Sequence, residues 1–211
     1  MTNPTNPTDT ETDTIRPLRE FVAGMTALVG QDLPEGALLP QVRTLMAQLI
    51  ASDRWLPEAF AQPGQGTYAQ HLLHCDPLER FSVVSFVWGP GQRTPVHNHT
   101  VWGVVGVLRG QETCDEFEPT ADGVRSTGLT HALKAGAIEA VSPTVGDWHR
   151  VGNALEGQSS ISIHVYGGNI GAIHRSLLDA DGVERPFVSG YSSTVVPNLW
   201  DRSAEARKAV S

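Results

Sequence analysis

From Ile15 to Val29 the apolar residues Ile15, Leu18, Phe21, Val22, Met25, Leu28 and Val29 recur at steps of three and four. That spacing lays them along one stripe of a helix. A second stripe runs through Leu39, Val42, Leu45, Met46, Leu49 and Ile50, and Pro40 is tolerated there if it stands in the first helical turn. Both stripes predict helices that pack one face on a core. After Pro63-Gly64 the texture changes to short β-rich segments: YAQHLLHC, FSVVSFVWG, WGVVGVLRG, AIEAVSP, SSISIHVYGG and FVSGYSSTVV. Between them stand the turn-forming stretches GPGQ, PTADG, SPTVGD and NALEGQ. Many short strands, Gly/Pro turns and no intervening helices predict a mainly β protein, an antiparallel barrel or double-sheet jelly roll. A small-molecule site in such a fold sits inside the barrel, lined by alternate inward-facing residues.

The expected organisation is one domain. Residues 1–14, with Thr, Asn, Pro and Asp but no apolar anchor, read as a disordered tail. Residues 15–60 form a helical segment packed on the barrel, and 61–200 form the barrel. A chain of 211 residues with 40% apolar content can bury a proper core. The net charge of −8, with no local basic cluster, argues against nucleic acid or an anionic membrane surface as partner. No apolar run is long enough to span a bilayer and no secretion signature opens the chain, so a cytoplasmic location is expected. Cys75 and Cys114, without CxxC spacing, are expected to be reduced thiols.

The candidate chemistry lies in three stretches. In PVHNHTVWGVVGVLRG, His97 and His99 occupy alternate positions of an expected strand and so share a face. In PTVGDWHRVGN, a turn built from Pro143 and Gly146 delivers His149 into the next strand. Three imidazoles would make a neutral metal site with positions left for water or substrate. In SSISIHVYGG, the residues Ser162, His164 and Tyr166 alternate with Ile161, Ile163 and Val165. Period-two alternation sets the polar three on one face, where they can hydrogen-bond in a chain ending at a phenol.

Gly91, His97-x-His99 and Gly110 resemble the first metal motif of the cupin family, and Pro143, Gly146, His149 and Asn153 are similar to the second. The acidic ligand of many cupins should fall near residue 103, where this chain has Gly103. That departure leaves three histidines without a carboxylate and disfavours the two-histidine-one-carboxylate oxygenases. Taken with the Ser-His-Tyr row, about residues 60–190 look like the thiol dioxygenases, the cysteine dioxygenase family of cupins. The resemblance implies a cupin barrel and Fe(II) on His97, His99 and His149, with a small thiol and O₂ as reactants. Both oxygen atoms would pass to sulfur, giving a sulfinate. Metal ligation itself lowers a thiol pKa, and Tyr166, oriented by His164 and Ser162, would hydrogen-bond the substrate or an iron-bound oxygen.

Members with a Cys–Tyr cross-link carry its cysteine where this chain has Gly103, so no cross-link is expected; Cys114 does not match that position. Cysteine-specific members carry an arginine in a Tyr-x-Arg segment, matched here by Tyr68-Ala69-Gln70. The bacterial branch with glutamine there resembles 3-mercaptopropionate dioxygenase and has an arginine nine residues past the relay tyrosine, where Arg175 stands. Arg175 is the expected carboxylate clamp, with Gln70 as a second substrate contact. The expected reaction is 3-mercaptopropionate to 3-sulfinopropionate, with L-cysteine and then cysteamine as weaker alternatives. Two more distant readings are a zinc-dependent hydrolase or isomerase and a non-enzymatic ligand-binding cupin. His71, His74, His131 and His174 receive no role, and oligomeric state is not legible.

Overall fold

The structure, a computed structural model, describes residues 15–193 and 201–208. The tail expected over 1–14 lies outside the described residues, as do 194–200. Helix α1 (Arg16–Val29) buries Leu18, Phe21, Met25 and Leu28, the stripe expected of it. Helix α2 (Glu35–Leu49) buries Leu38, Leu39, Val42, Met46 and Leu49. It starts earlier than the apolar spacing indicates, on bonds from the amides of Ala37 and Leu38 to the carbonyl of Pro34. Pro40 therefore lies inside the helix rather than in its first turn. A short 3-10 turn at Glu58–Phe60 leads into the strands.

The strands are β1 (Ala69–Cys75), β2 (Ser82–Trp88), β3 (Gly103–Arg109), β4 (Gln111–Thr120) and β5 (Gly123–Lys134), then β6 (Ile138–Val141), β7 (Trp148–Asn153), β8 (Ser160–Tyr166), β9 (Arg175–Leu178) and β10 (Glu184–Phe187). A short helix α3 (Ser203–Lys208) follows. One antiparallel sheet has the order β1-β2-β8-β3-β6, and a second has β5-β4-β7. The β9–β10 hairpin joins the second sheet through the His97 segment, which bridges His149 on one side and Leu177 on the other.

The five-stranded sheet is covered on both faces. Val83, Val87, Val104, Leu108, Ile161, Ile163 and Val165 pack with the buried faces of α1 and α2. From the opposite face Val84, Phe86, Trp88, Val107 and Tyr166 meet Cys114, Leu133 and Val151 of the second sheet. Burial on both sides explains why β2 and β8 are buried along their whole length. The fold is thus the mainly β, two-sheet antiparallel barrel with N-terminal helices expected from the sequence. Two expectations fail locally. His97 and His99 lie on a bridged segment before β3 rather than in a regular strand, and Val188–Ser193 is coil rather than strand. The His97 segment makes isolated bridges, to His149 and Leu177, and 188–193 makes single bonds such as Ser192 N–H to the Gln70 carbonyl, so neither builds a continuous ladder.

Candidate functional site

Antiparallel pairing of His97 with His149, through N–H···O bonds of 2.9 and 3.0 Å, carries the two rings into one end of the barrel. His99 follows two residues on, and the ligand nitrogens of all three lie within 4.8 Å of one another, each ring buried. Their Nδ1 atoms are already engaged. His97 Nδ1–H donates to the Pro95 carbonyl at 3.1 Å, and His99 Nδ1–H donates to Asp147 Oδ1 at 2.9 Å. His149 Nδ1 sits 3.4 Å from Cys114 Sγ. Such partners fix ring orientation and tautomer and leave the Nε2 atoms as the ligating set.

Burial first, then the neighbouring charges, hold His97 and His99 well below the ordinary imidazole pKa, and burial lowers His149 to about 4. All three imidazoles are neutral at physiological pH, the form in which they could bind a divalent cation. A three-nitrogen set with no carboxylate can hold such a metal.

Asp147 was not singled out by the sequence as a site residue. Its Oδ1 accepts from both the backbone N–H and the ring of His99, and its Oδ2 accepts from Thr100 N–H at 2.9 Å. Thr100 needs that tie, because it takes a positive φ of 60° that suits glycine better. The signal was present in the sequence as an acid two residues before His149.

Along β8 the expected row is assembled. Ser162 Oγ lies 2.8 Å from His164 Nε2, and His164 Nδ1 lies 2.7 Å from the Tyr166 hydroxyl. The strand is central, between β2 and β3, so the row is interior rather than water-facing. The Tyr166 ring stacks on His99 with centroids 5.4 Å apart, and His164 stacks on Phe86 at 4.1 Å. Gly103 pairs with Tyr166 in register. A Cβ at 103 would meet Tyr166 Cδ1 at 2.7 Å and Cε1 at 2.9 Å, so the position is free of side chain where the phenol ring needs room.

His97, His99, His149, His164 and Tyr166 line one cavity of about 410 Å³, together with Tyr68, Gln70, Phe86, Trp88, Arg175, Leu177 and Phe187. No Asp or Glu lines it among the described residues. Arg175 is buried at the start of β9, its Nη2 donating to Ser189 Oγ at 2.7 Å and its guanidinium 4.5 Å over the Phe187 ring. Its Nε has no partner. Burial lowers its pKa from the usual guanidinium value, and among the described residues no acidic side chain is bonded to it. Gln70, on β1, donates its amide to the carbonyl of Gly190 while lining the same cavity. Tyr68 packs on Trp88 at 4.8 Å as part of the aromatic wall; neither was chosen from the sequence. Every site residue expected from the sequence (His97, His99, His149, Ser162, His164, Tyr166, Gln70, Arg175) therefore lies at this cavity or bonds directly to a residue that does.

No protein-family model matches the chain. Among solved structures the chain is similar to a protein with a double-stranded β-helix domain from Klebsiella pneumoniae subsp. pneumoniae, at 18% identity over 63% of this chain and 87% of that one (TM-score 0.44). It is similar to an oxalate oxidase solved with the substrate analogue glycolate, at 15% identity over 56% and 61% (TM-score 0.42). A third is a cupin protein with a double-stranded β-helix fold from Methanocaldococcus jannaschii, at 16% identity over 51% and 85% (TM-score 0.38). At these identities the likeness concerns the fold alone.

Proposed function

We propose that this protein is an Fe(II)-dependent thiol dioxygenase that converts 3-mercaptopropionate to 3-sulfinopropionate. The observation that carries the reading is the meeting, in one cavity, of three neutral histidines, a phenol fed by a Ser-His pair, and a buried arginine with no acid bonded to it. His97, His99 and His149 would hold the iron. When bound, Fe(II) would supply coordination of a thiolate and of O₂ and the transfer of both oxygen atoms to sulfur.

The chain's own groups do the rest. Arg175 receives the substrate carboxylate, its unpartnered Nε offering a charge-assisted bond. Tyr166, held by His164, donates its phenol proton as a hydrogen bond toward the reacting end. Phe86, Trp88, Tyr68 and Phe187 keep water from the space between. Among the described residues the lining has no carboxylate to pair with the ammonium of L-cysteine, which favours the thiol acid that lacks one. The test is O₂ uptake by protein reconstituted with iron or with zinc, using 3-mercaptopropionate, L-cysteine and cysteamine. The expected result is iron-dependent uptake, fastest with 3-mercaptopropionate, and stoichiometric sulfinate. Uptake by none of the three, or thiol-independent activity with zinc, would refute the reading.

A further inference from the structure

Past β10 the chain runs along the cavity as a strap, Val188 to Ser193, held by three other parts of the molecule. On the β1 side, Ser192 N–H donates to the Gln70 carbonyl at 2.7 Å, and the Gln70 side-chain amide donates to the Gly190 carbonyl. On the loop after β8, Gly190 N–H donates to the Gly171 carbonyl at 2.9 Å. The Tyr191 hydroxyl accepts from Gly171 N–H at 3.0 Å and donates to Asn169 Oδ1 at 2.5 Å. From α3, the Arg207 guanidinium donates to the carbonyls of Val188 and Ser189 at 3.0 to 3.3 Å. Gly190 takes a φ of +72°, and a Cβ there would lie 2.8 Å from Arg207 Nη2, so glycine lets the strap turn beneath that side chain.

Two serines of the strap line the cavity. Ser192 is exposed, and its Oγ is tied to β1 by the backbone N–H of Gln70 at 3.1 Å. Ser189 is tied to Arg175 instead, accepting from Nη2 at 2.7 Å. A hydroxyl carries one hydrogen beside its lone pairs. With Arg175 donating to the oxygen, the Ser189 hydrogen is left over, and no acceptor for it stands among the described residues. Arg175 Nε–H, although buried, also has no acceptor. Nε and Nη2 belong to one planar, rigid fork. The Ser189 bond at Nη2 and the Phe187 ring 4.5 Å from the guanidinium therefore fix where Nε–H points. Two unspent donors, one cationic and one neutral, thus neighbour each other on the wall of a cavity that no Asp or Glu lines among the described residues. A carboxylate has oxygens for both. An ammonium group can accept from neither.

We infer that Ser189 is a substrate-binding residue that selects for a carboxylate. Its oxygen locks the Arg175 fork, and its hydrogen is the second donor to the substrate carboxylate, Arg175 Nε–H being the first. The strap holds Ser189 through β1, the loop after β8 and α3, so the pair of donors stands in place before an acid arrives and little ordering is left for binding to supply. Loss of the hydroxyl removes one donor and frees the fork that carries the other. Both effects fall on ligands with a carboxylate and spare those without. The inference rests on the proposed function for the identity of the acid, and not for the carboxylate site itself.

The test is calorimetric titration of the iron-free full chain with 3-mercaptopropionate, propionate and cysteamine, for wild type, Ser189→Ala and Ser189→Thr. Wild type should bind both acids. Ser189→Ala should bind both about ten-fold or more weakly, the loss expected for a hydrogen bond to a charged group. Ser189→Thr, which keeps the hydroxyl, should stay close to wild type, and cysteamine should bind equally weakly to all three. In the iron form the ratio of kcat/KM for 3-mercaptopropionate to that for cysteamine should fall by the same factor in Ser189→Ala, with kcat held. A separate readout follows the lock itself. In ¹⁵N NMR the Arg175 Nε–H signal, assigned by its absence from Arg175→Met, should exchange slowly with solvent in wild type and faster in Ser189→Ala. Unchanged acid affinity in Ser189→Ala, the same loss in Ser189→Thr, an equal loss for cysteamine, or no binding of either acid to wild type would overturn the inference. A wild type that binds the acids but takes up no O₂ with any thiol would instead sink the proposed function and leave the carboxylate site standing.

Discussion

Replacing Arg175 by methionine separates a residue that binds substrate from one that holds the fold. The side chain is buried with an unpartnered Nε and bonds only Ser189 and the Phe187 face among the contacts resolved. For binding, the loss is one charge-assisted pair, about 2 kcal/mol or more, which is roughly 30-fold in kcat/KM for 3-mercaptopropionate. Cysteamine has no carboxylate, so its turnover should scarcely change. For stability the terms oppose. Losing the Ser189 bond costs about 1.5–3 kcal/mol and losing the cation–π contact about 1–2 kcal/mol. Relieving the desolvation of a buried ion returns several kcal/mol, and methionine refills the volume. The variant is therefore expected to melt within a few degrees of wild type or above it. In addition, 3-mercaptopropionate should raise the melting temperature of iron-free wild type but not of the variant, by linkage of binding to folding. Equal loss of kcat/KM for both thiols, or a destabilisation beyond about 2 kcal/mol, would mean that Arg175 supports the barrel, and the carboxylate assignment would fall.

Alanine at His97, His99 or His149 should abolish iron retention, measured by metal analysis, while the far-ultraviolet circular dichroism of the barrel is kept; full iron in any one variant removes that residue from the ligand set. Tyr166→Phe should retain iron and lose about ten- to ten-thousand-fold in kcat, and unchanged turnover would remove the phenol from the reaction. Asp147→Asn keeps an acceptor for Thr100 but weakens the hold on His99, so iron affinity should fall about ten- to hundred-fold by competition with a chelator; an unchanged affinity would make Asp147 a turn residue only. Glu112 has a folded pKa raised from 4.5 to about 7, so its stabilising contribution is present below 4.5 and is lost as pH rises through about 7. The shift corresponds to about 3 kcal/mol. Denaturant unfolding of wild type should show that fall relative to Glu112→Gln, and parallel pH profiles would contradict it.

The candidate ligands and the polar row were legible in the chain because both rest on strong local periodicity and on rare residue types. Ser162, His164 and Tyr166 alternate with three β-branched residues, and period two alone decides which face each takes. The α1 stripe was legible for the same reason at period 3.6. What was missed lies where periodicity carries no apolar contrast. β5 runs GVRSTGLTHALK with almost every side chain exposed, so nothing in its residues separates a strand from a loop. β4 reads QETCDEFEPT, and its buried positions Glu112 and Cys114 look like members of an ordinary solvated acidic strand.

By itself, then, the sequence determined which side chains share a face: two helical stripes, the alternation of β8, and the three histidines whose type suits a metal. Tertiary structure decided the rest. It set His97 against His149 by a cross-strand bridge that no local pattern encodes, and placed Asp147 behind His99 and Cys114 behind His149. It brought Arg175 into the cavity from a strand too short to show a period, and buried Glu112 of β4 beside Ser160. The physical reason is common to all of these. A residue's face is fixed by its own backbone geometry, whereas its neighbours across a sheet and its distance from water are set by pairing with chain far away in sequence.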